Sequence, residues 1–193
     1  MIQHFTFEKT GLDGAYLIKP FFADDERGGF IKDYSKEVFE KNGIKHNLKE
    51  VFYTVSHKGV IRALHFQRIK QQAKLVRCVH GKIYDVIVDL RAESLTFGQW
   101  RGFYLDGANM DSLYIPQHFG HGYLVLEDSI VSYKCAEKFY GAYDDGIMWD
   151  DADIGIEWPL HLVDKLILSE KDKNLQSFKS FCAGLKSCAL SGE

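Results

Sequence analysis

The chain has 193 residues, of which 46% are hydrophobic and 26% are charged, and its formal net charge is −3. This composition is ordinary for a globular protein with a sizeable core, and the small negative charge argues against a nucleic-acid-binding protein. No stretch has the length of a membrane span, the N-terminus lacks the apolar core of a signal peptide, and the four cysteines show no CxxC spacing. Cys78 and Cys135 lie in strand-like runs and are predicted to be buried thiols. We therefore predict a single domain in a reducing cytoplasm.

The first part of the chain shows short strands separated by turns rich in glycine and aspartate. Ser35 is a candidate N-cap for a short helix, which Asn42 and Gly43 would end. In chain order, the predicted elements are two strands within residues 1–22 around the turn 11–14, a strand over 29–34 after the charged turn 24–29, a helix over 36–41 and a strand over 48–56.

Alternating strand patterns continue through the middle of the chain. They span Val60 to Gln67 and then Lys74 to Leu90, where His80-Gly81 predicts a two-residue hairpin turn. Many short strands without intervening helices indicate an antiparallel sandwich or barrel rather than a parallel βαβ sheet. The remaining predicted elements are strands over 99–105, 112–115, 122–127 and 130–135, a tight connection at 127–129, a helix over 174–185 and a loose tail over 187–193.

Polar side chains are concentrated where these strand patterns meet. Arg62, His65, Gln67 and Lys74 lie within one short interval of otherwise apolar strands. A charged or polar group in an apolar neighbourhood needs a partner or a ligand. This interval is the first indication of a site.

Several motifs in a fixed order resemble the dTDP-4-dehydrorhamnose 3,5-epimerase family. They run from about Gly14 to Asp172, and each is weak alone but the set is specific. The matching segments are DERG at 25–28, RALHFQ at 62–67, QAKLVR at 72–77, PQHFGHGY at 116–123, YK at 133–134, WP at 158–159 and SEKD at 169–172.

The resemblance implies a fold, an activity and an assembly. The implied fold is a cupin jelly roll, and the implied reaction is the cofactor-independent epimerisation of a nucleotide-linked 4-keto-6-deoxy sugar at C3, C5 or both. The implied assembly is a homodimer that exchanges its N-terminal strands. The expected parts of the single domain are exchanged strands over 1–35, a jelly-roll core over 36–172 and a C-terminal helix and tail over 173–193.

Epimerisation beside a ketone needs a base, a group that stabilises the enolate oxygen and an acid on the opposite face. His65 suits the base because imidazole titrates near neutral pH, and Lys74 suits the enolate. The resemblance assigns these roles to the same two residues, and adds Tyr133 as the acid and Asp172 as the carboxylate that orients the base. Each residue also has a structural interpretation without catalysis. His65 could be a hydrogen-bonded core residue, and Lys74 could snorkel from an edge strand. Tyr133 could be a core aromatic, and Asp172 could lie in a solvated turn or helix start.

The resemblance also implies a substrate-binding set. Arg62 and Arg27 match arginines of the family, and arginine suits bidentate contact with phosphate. His121 is expected to support the substrate pocket. The other predicted members are Phe30, Lys32, Glu50, Phe52, Gln67, Tyr140, Asp144 and Lys171.

Four positions near the nucleotide depart from the family pattern. Lys32 stands where the family has a glutamate that faces thymine across the dimer, and Glu50 and Phe52 replace a Gln-x-Asn pair. Asp144 replaces a glutamate. Lysine can only donate hydrogen bonds, and the acceptors of cytosine suit it, so the substrate is expected to carry dTDP or else CDP or GDP. The alternative is that Lys32 points to solvent or that its register is shifted by one residue.

Three other functions compete with the epimerase. Many cupins bind a metal through an HxH pair, but the segment here is His65-Phe66-Gln67, and His80 falls in the predicted turn. We therefore predict no metal site, against the alternative of a metal-dependent cupin. A ketoisomerase of the same cupin group and a non-catalytic sugar-binding cupin are the others. The complete set of base, lysine and acid favours epimerisation, since inversion requires an acid on the opposite face.

Overall fold

Antiparallel strands make up most of the chain. The computed structural model describes residues 4–191, with side chains described up to residue 185. The mainly β fold predicted from the sequence is confirmed. The strands are β1 Thr6–Lys9, β2 Tyr16–Lys19, β3 Phe21–Asp25, β4 Gly28–Lys32, β5 Glu50–Ser56, β6 Ile61–Gln67, β7 Lys74–Asp89, β8 Trp100–Asp106, β9 Ser112–Ile115, β10 Phe119–Cys135 and β11 Asp144–Gly146, and the α-helices are α1 Lys36–Lys41 and α2 Phe178–Ser191. A 3-10 turn over Asp172–Asn174 bears on the site.

Two long strands, β7 and β10, form the centre of the fold. They pair from Lys74 opposite Cys135 to Asp89 opposite Phe119. β5 and β6 pair with successive parts of β10, while β9 and β8 pair with successive parts of β7. β1 and β2 extend the sheet beyond β9, and β11 extends it beyond β6. The two long strands therefore link all the strands that surround the site.

The predicted hairpin turn at His80-Gly81 is wrong, and so is the predicted connection over 127–129. Both segments are bends within continuous strands, and they face each other across the pairing of β7 with β10. Gly81 has a φ of +74°, which permits a bend without a reversal of the chain. Register irregularities between Val125 and Val131 absorb the bend on β10. Each pair of predicted strands is therefore a single strand.

The N-terminal and C-terminal predictions need smaller corrections. The second predicted strand is interrupted at Pro20, so that β3 and β4 form a separate two-stranded hairpin. The helix α1 has the predicted bounds, although the side chain of Ser35 makes no capping hydrogen bond. The C-terminal helix begins at Phe178 and includes residues 187–191, which were predicted as a tail, while residues 192 and 193 lie outside the described part of the chain.

The core covers both faces of the central strands. One cluster fills the interior and includes Tyr123 and Tyr133, so the core adjoins the candidate site. A second cluster lies between β6 and the C-terminal segment, and a third lies beneath α1. Cys78 and Cys135 are buried free thiols, as predicted, and burial raises the pKa of each to about 11. No helix within residues 4–191 is both long and apolar enough to cross a membrane.

Candidate active site

A β-bulge in β6 brings Arg62 and His65 to the same side of the sheet. His121 and Tyr123 of β10 pair with His65 and Arg62 of β6, respectively. Two residue steps on β10 therefore lie opposite three on β6. Residues three apart in a regular strand point to opposite faces. The extra residue in β6 corrects this difference, and both side chains line one cavity.

Glycines on both neighbouring strands make room for the bulge. A Cβ atom on Gly122 of β10 would lie 2.6 Å from the carbonyl oxygen of Arg62 and 2.7 Å from Cα of Ala63. On the other side, a Cβ atom on Gly146 of β11 would overlap the carbonyl oxygen of Leu64. The peptide bond between Ala63 and Leu64 is cis. The backbones approach so closely here that only glycine fits on either side.

The cavity has a volume of about 260 Å³ and lies at one end of the interior core. Three of the four predicted catalytic residues line it, and the fourth, Asp172, contacts His65 from behind. The predicted residues that line the cavity are Phe52, Arg62, His65, Gln67, Lys74, His121, Tyr133, Asp144 and Lys171.

His65 and Asp172 form a close pair of side chains, called the dyad below. The distance from His65 Nε2 to Asp172 Oδ1 is 2.7 Å, and Ser169 Oγ donates to Asp172 Oδ2 at 2.7 Å. Burial acts to raise the pKa of Asp172, but the hydrogen bonds from His65 and Ser169 outweigh it, so that the pKa is lowered. An ionised carboxylate accepts the Nε2 proton of the imidazole and leaves Nδ1 free to accept a proton.

Lys74 contributes a buried amino group to the cavity wall. Burial lowers the pKa of its ammonium group, and the nearby carboxylates of Asp144 and Asp85 partly offset this effect. Among the described side chains, no hydrogen bond or ion pair engages the Lys74 ammonium. Its donors are therefore available to an oxyanion in the cavity.

Tyr133 extends from β10 between two other rings. Its ring is parallel to that of Phe52, with 4.7 Å between the centroids and 9° between the planes, and it meets the edge of His121 at 5.8 Å. Burial raises the pKa of Tyr133 well above its usual value, and Tyr123 and Asp85 add to the effect. The phenol is therefore protonated and able to donate.

A second pair of histidine and carboxylate supports the cavity wall. His121 Nε2 lies 3.0 Å from each carboxylate oxygen of Asp85, and both residues are buried. Burial raises the pKa of Asp85, while His121 and Lys74 act against it. His80 lines a separate surface cavity at the bend of β7. The described residues contain no cluster of three or more potential metal ligands.

Several predicted substrate residues hold the loop beside the cavity. The carboxylate of Glu50 accepts the backbone N–H of Phe139 at 2.9 Å, and Glu50 does not line the cavity. Gln67 accepts the backbone N–H of Tyr140, which lies outside the cavity wall. On the wall itself, Asp144 and Lys171 form an ion pair.

The predicted residues of the N-terminal hairpin lie away from this cavity. Arg27 is exposed and forms an ion pair with Asp25 within the hairpin. Phe30 is 57% exposed, and Lys32 ends β4. Within a single chain, the structure does not bring Arg27, Phe30 and Lys32 to the candidate site.

Sequence reasoning missed several residues of the site. Asp85 had a usable signal, because a carboxylate within an apolar run must have a partner. No local sequence signal indicated Tyr123, since its hydroxyl is hydrogen-bonded at 2.8 Å to Thr54, which lies on a strand distant in sequence. The missed cavity-lining residues are Thr54, Phe66, Gln72 and Phe139.

Comparisons with known proteins identify the family of this chain. The family model described as dTDP-4-dehydrorhamnose 3,5-epimerase matches residues 9–180. A relative of that name from Methanothermobacter thermautotrophicus is 50% identical over 174 residues, covering 90% of this chain and 94% of the relative. The Escherichia coli enzyme of that name is 39% identical over 170 residues, covering 86% of this chain and 91% of its own.

Solved structures give the same result. The dTDP-6-deoxy-D-glucose-3,5-epimerase of Legionella pneumophila, in complex with dTDP-4-keto-L-rhamnose, has a TM-score of 0.89 and 34% identity, covering 94% of this chain and 97% of that one. A 3′-monoepimerase of Streptomyces bikiniensis, in complex with dTDP-quinovose, has a TM-score of 0.83 and 30% identity, covering 91% and 89%. This chain therefore belongs to the dTDP-4-dehydrorhamnose 3,5-epimerase family of isomerases.

Proposed function

We propose that this protein epimerises a dTDP-linked 4-keto-6-deoxy sugar at C3, C5 or both, through its own acid and base side chains. The observation that carries the proposal is the meeting of the His65–Asp172 dyad, Lys74 and Tyr133 at one cavity. These groups come from three strands and a 3-10 turn, and together they supply a base, an oxyanion donor and an acid.

The geometry supports a two-step proton transfer. His65 Nδ1 takes the proton from a carbon beside the ketone, and the electrons of that C–H bond move into an enolate. Lys74 donates to the enolate oxygen, and Asp172 stabilises the imidazolium. Tyr133 then gives its proton to the opposite face of the carbon, which inverts it. Solvent restores the proton of the resulting phenolate and removes that of His65. Acid and base groups of this kind each contribute roughly 10²–10⁴ in rate.

Arg62 and Lys171 are the proposed diphosphate contacts on the cavity wall. The Arg62 Nε–H donates to Ser56 Oγ at 3.2 Å, which orients the guanidinium. Glu50 accepts the Phe139 N–H, and Phe52 stacks on the Tyr133 ring. These contacts within the chain explain both residues without a role in binding the nucleobase. The CDP and GDP alternatives therefore depend on Lys32.

We also propose a homodimer in which each chain contributes its β3–β4 hairpin to the site of the other. This hairpin pairs with no other strand in the described part of the chain. It carries Phe22 and Phe30, which are 43% and 57% exposed. β5 presents Tyr53 and Val55, which are 60% and 73% exposed, so the chain has apolar surface typical of an interface.

Mixed dimers test the exchange. Arg27→Ala impairs only the hairpin and His65→Ala impairs only the cavity, so we expect each variant alone to be inactive or weak. After unfolding and refolding together, one site of each mixed dimer would combine an intact hairpin with an intact cavity. Recovered activity supports the exchange, and no recovery in a mixture shown to contain mixed dimers contradicts it.

The cytoplasmic location stays a prediction.

Solvent exchange tests the function. The protein is incubated in deuterium oxide with the 4-keto-6-deoxyglucose linked to dTDP, CDP or GDP. Proton NMR follows the signals of the protons bonded to C3 and C5. We expect both signals to be lost and the epimer to form with the dTDP sugar, and His65→Ala to abolish this exchange. Exchange with only the CDP or GDP sugar would support the altered nucleotide, and Lys32→Glu would then restore dTDP use. A carbonyl that changes position would identify a ketoisomerase, and no exchange would contradict catalysis.

A further inference from the structure

Phe52 holds one face of the proposed acid. It lies directly opposite Tyr133 in the pairing of β5 with β10, and the two rings are parallel at 4.7 Å. Cross-strand neighbours of this kind pack closely, and offset stacking is a preferred arrangement of aromatic rings. Phe52 is 37% exposed and lines the cavity, so the stack forms part of the cavity wall.

The other sides of the Tyr133 ring are also restrained. His121 meets it at 67° and is itself fixed by Asp85. Near the hydroxyl end, Tyr123 is fully buried and is hydrogen-bonded to Thr54. On the remaining face of the Tyr133 ring, the restraint comes from Phe52, a partly exposed side chain that lines the cavity. Loss of this ring would let the phenol tilt into the cavity.

The direction of the Tyr133 O–H group matters because the enolate has two possible proton donors. If the phenol points at the face opposite His65, its O–H bond breaks, a C–H bond forms there, and the carbon is inverted. If it does not, the imidazolium of His65 returns a proton to the original face, and the carbon keeps its configuration. The competition between these two donors depends on where the phenol is held.

We propose that Phe52 is a positioning residue for the acid and that it sets the ratio of inversion to retention. This inference rests on the proposed epimerase function. In the family pattern an asparagine occupies this position, so Phe52 was expected to contact the substrate. The stacked geometry assigns it a role through Tyr133 instead.

The test measures where deuterium appears. With the dTDP sugar in deuterium oxide, initial rates are followed for two labelled species. Label in recovered substrate reports retention after the His65 imidazolium has exchanged its proton for deuterium, and label in epimerised product reports inversion. For Phe52→Leu, we expect the retention-to-inversion ratio to rise roughly threefold to tenfold, in proportion to the lost aromatic contact. Phe52→Tyr keeps the stack and should stay within about twofold of the parent ratio.

Phe139→Leu is the matched control, because Phe139 also lines the cavity but does not stack on Tyr133. It should leave the ratio unchanged even if the affinity for substrate falls. An unchanged ratio in Phe52→Leu, with all rates lowered together, would overturn the inference. If Phe52→Leu does not fold, Phe52→Met has a similar volume in a longer and more adaptable side chain, and it must show the same rise. No exchange in the parent protein would instead overturn the proposed function.

Discussion

Gly122→Ala tests the bulge that assembles the site. The added Cβ would lie 2.6 Å from the carbonyl oxygen of Arg62 and 2.7 Å from Cα of Ala63, and closer still to the Ala63 Cβ. These atoms belong to the backbone or are attached rigidly to it, so β6 and β10 must separate by roughly 1 Å to restore ordinary contacts. Overpacking in a core costs typically 1–3 kcal/mol, and the rigid partners place this substitution at the upper end, about 3 kcal/mol.

Gly120→Ala is the matched control on the same strand. Its Cβ would meet Leu90 Cδ1 at 3.3 Å, which is the tip of a flexible side chain, and would otherwise make ordinary contacts. We expect a cost below about 1 kcal/mol there. Urea unfolding gives both free energies, and deuterium exchange into the dTDP sugar gives the activity of the folded fraction. Equal costs for the two variants, or full activity in folded Gly122→Ala, would refute the role assigned to the bulge.

Three further predictions concern charged groups. Asp172→Asn should lower the exchange rate about 10³-fold, since an amide cannot stabilise an imidazolium and can hold the wrong tautomer; a drop of less than about tenfold would contradict the dyad. Lys74→Met should abolish exchange yet raise the free energy of unfolding by about 1–2 kcal/mol, because burial disfavours the ammonium; a less stable variant in urea would count against this reasoning. Asp89 accepts hydrogen bonds from Arg91, Ser94 and Thr96, which overcome the opposing effect of burial and lower its pKa from 3.8 to about 2. Its stabilisation of about 2 kcal/mol is therefore present above pH 4 and lost as the pH falls to about 2, and Asp89→Asn should remove this part of the acid dependence in urea titrations.

The sequence predicted the fold class well and the bends poorly. Alternation and turn residues are local signals, and they were sufficient for β9 and α1, whose bounds match the prediction. At His80-Gly81 the same turn chemistry suggested a hairpin. The chain continues there because β10 lies alongside both halves of β7, which is a contact between distant segments. No local pattern contains that information.

The site shows the same division between local and distant information. His65 and Lys74 could be selected from their residue types, whereas Tyr133 is one of ten tyrosines and required the family resemblance. Strict alternation would have placed Arg62 and His65 on opposite faces. They share a cavity because of Gly122 and Gly146, which are far away in the sequence and become meaningful only once the strands are paired.

The dyad also has a consequence for the order in which the protein becomes functional during synthesis. His65 lies on β6, but Asp172 follows more than a hundred residues later, after every strand of the sheet has been made. The Ile61 N–H donates to the carbonyl oxygen of Ile167, and the Ile167 N–H donates to that of Gly59, so this late segment is attached alongside β6. A nascent chain that has completed its strands therefore still lacks the carboxylate that pairs with its base, and also Lys171 of the cavity wall. The activity therefore requires this late segment, and we expect a translation product that ends before Asp172 to lack it.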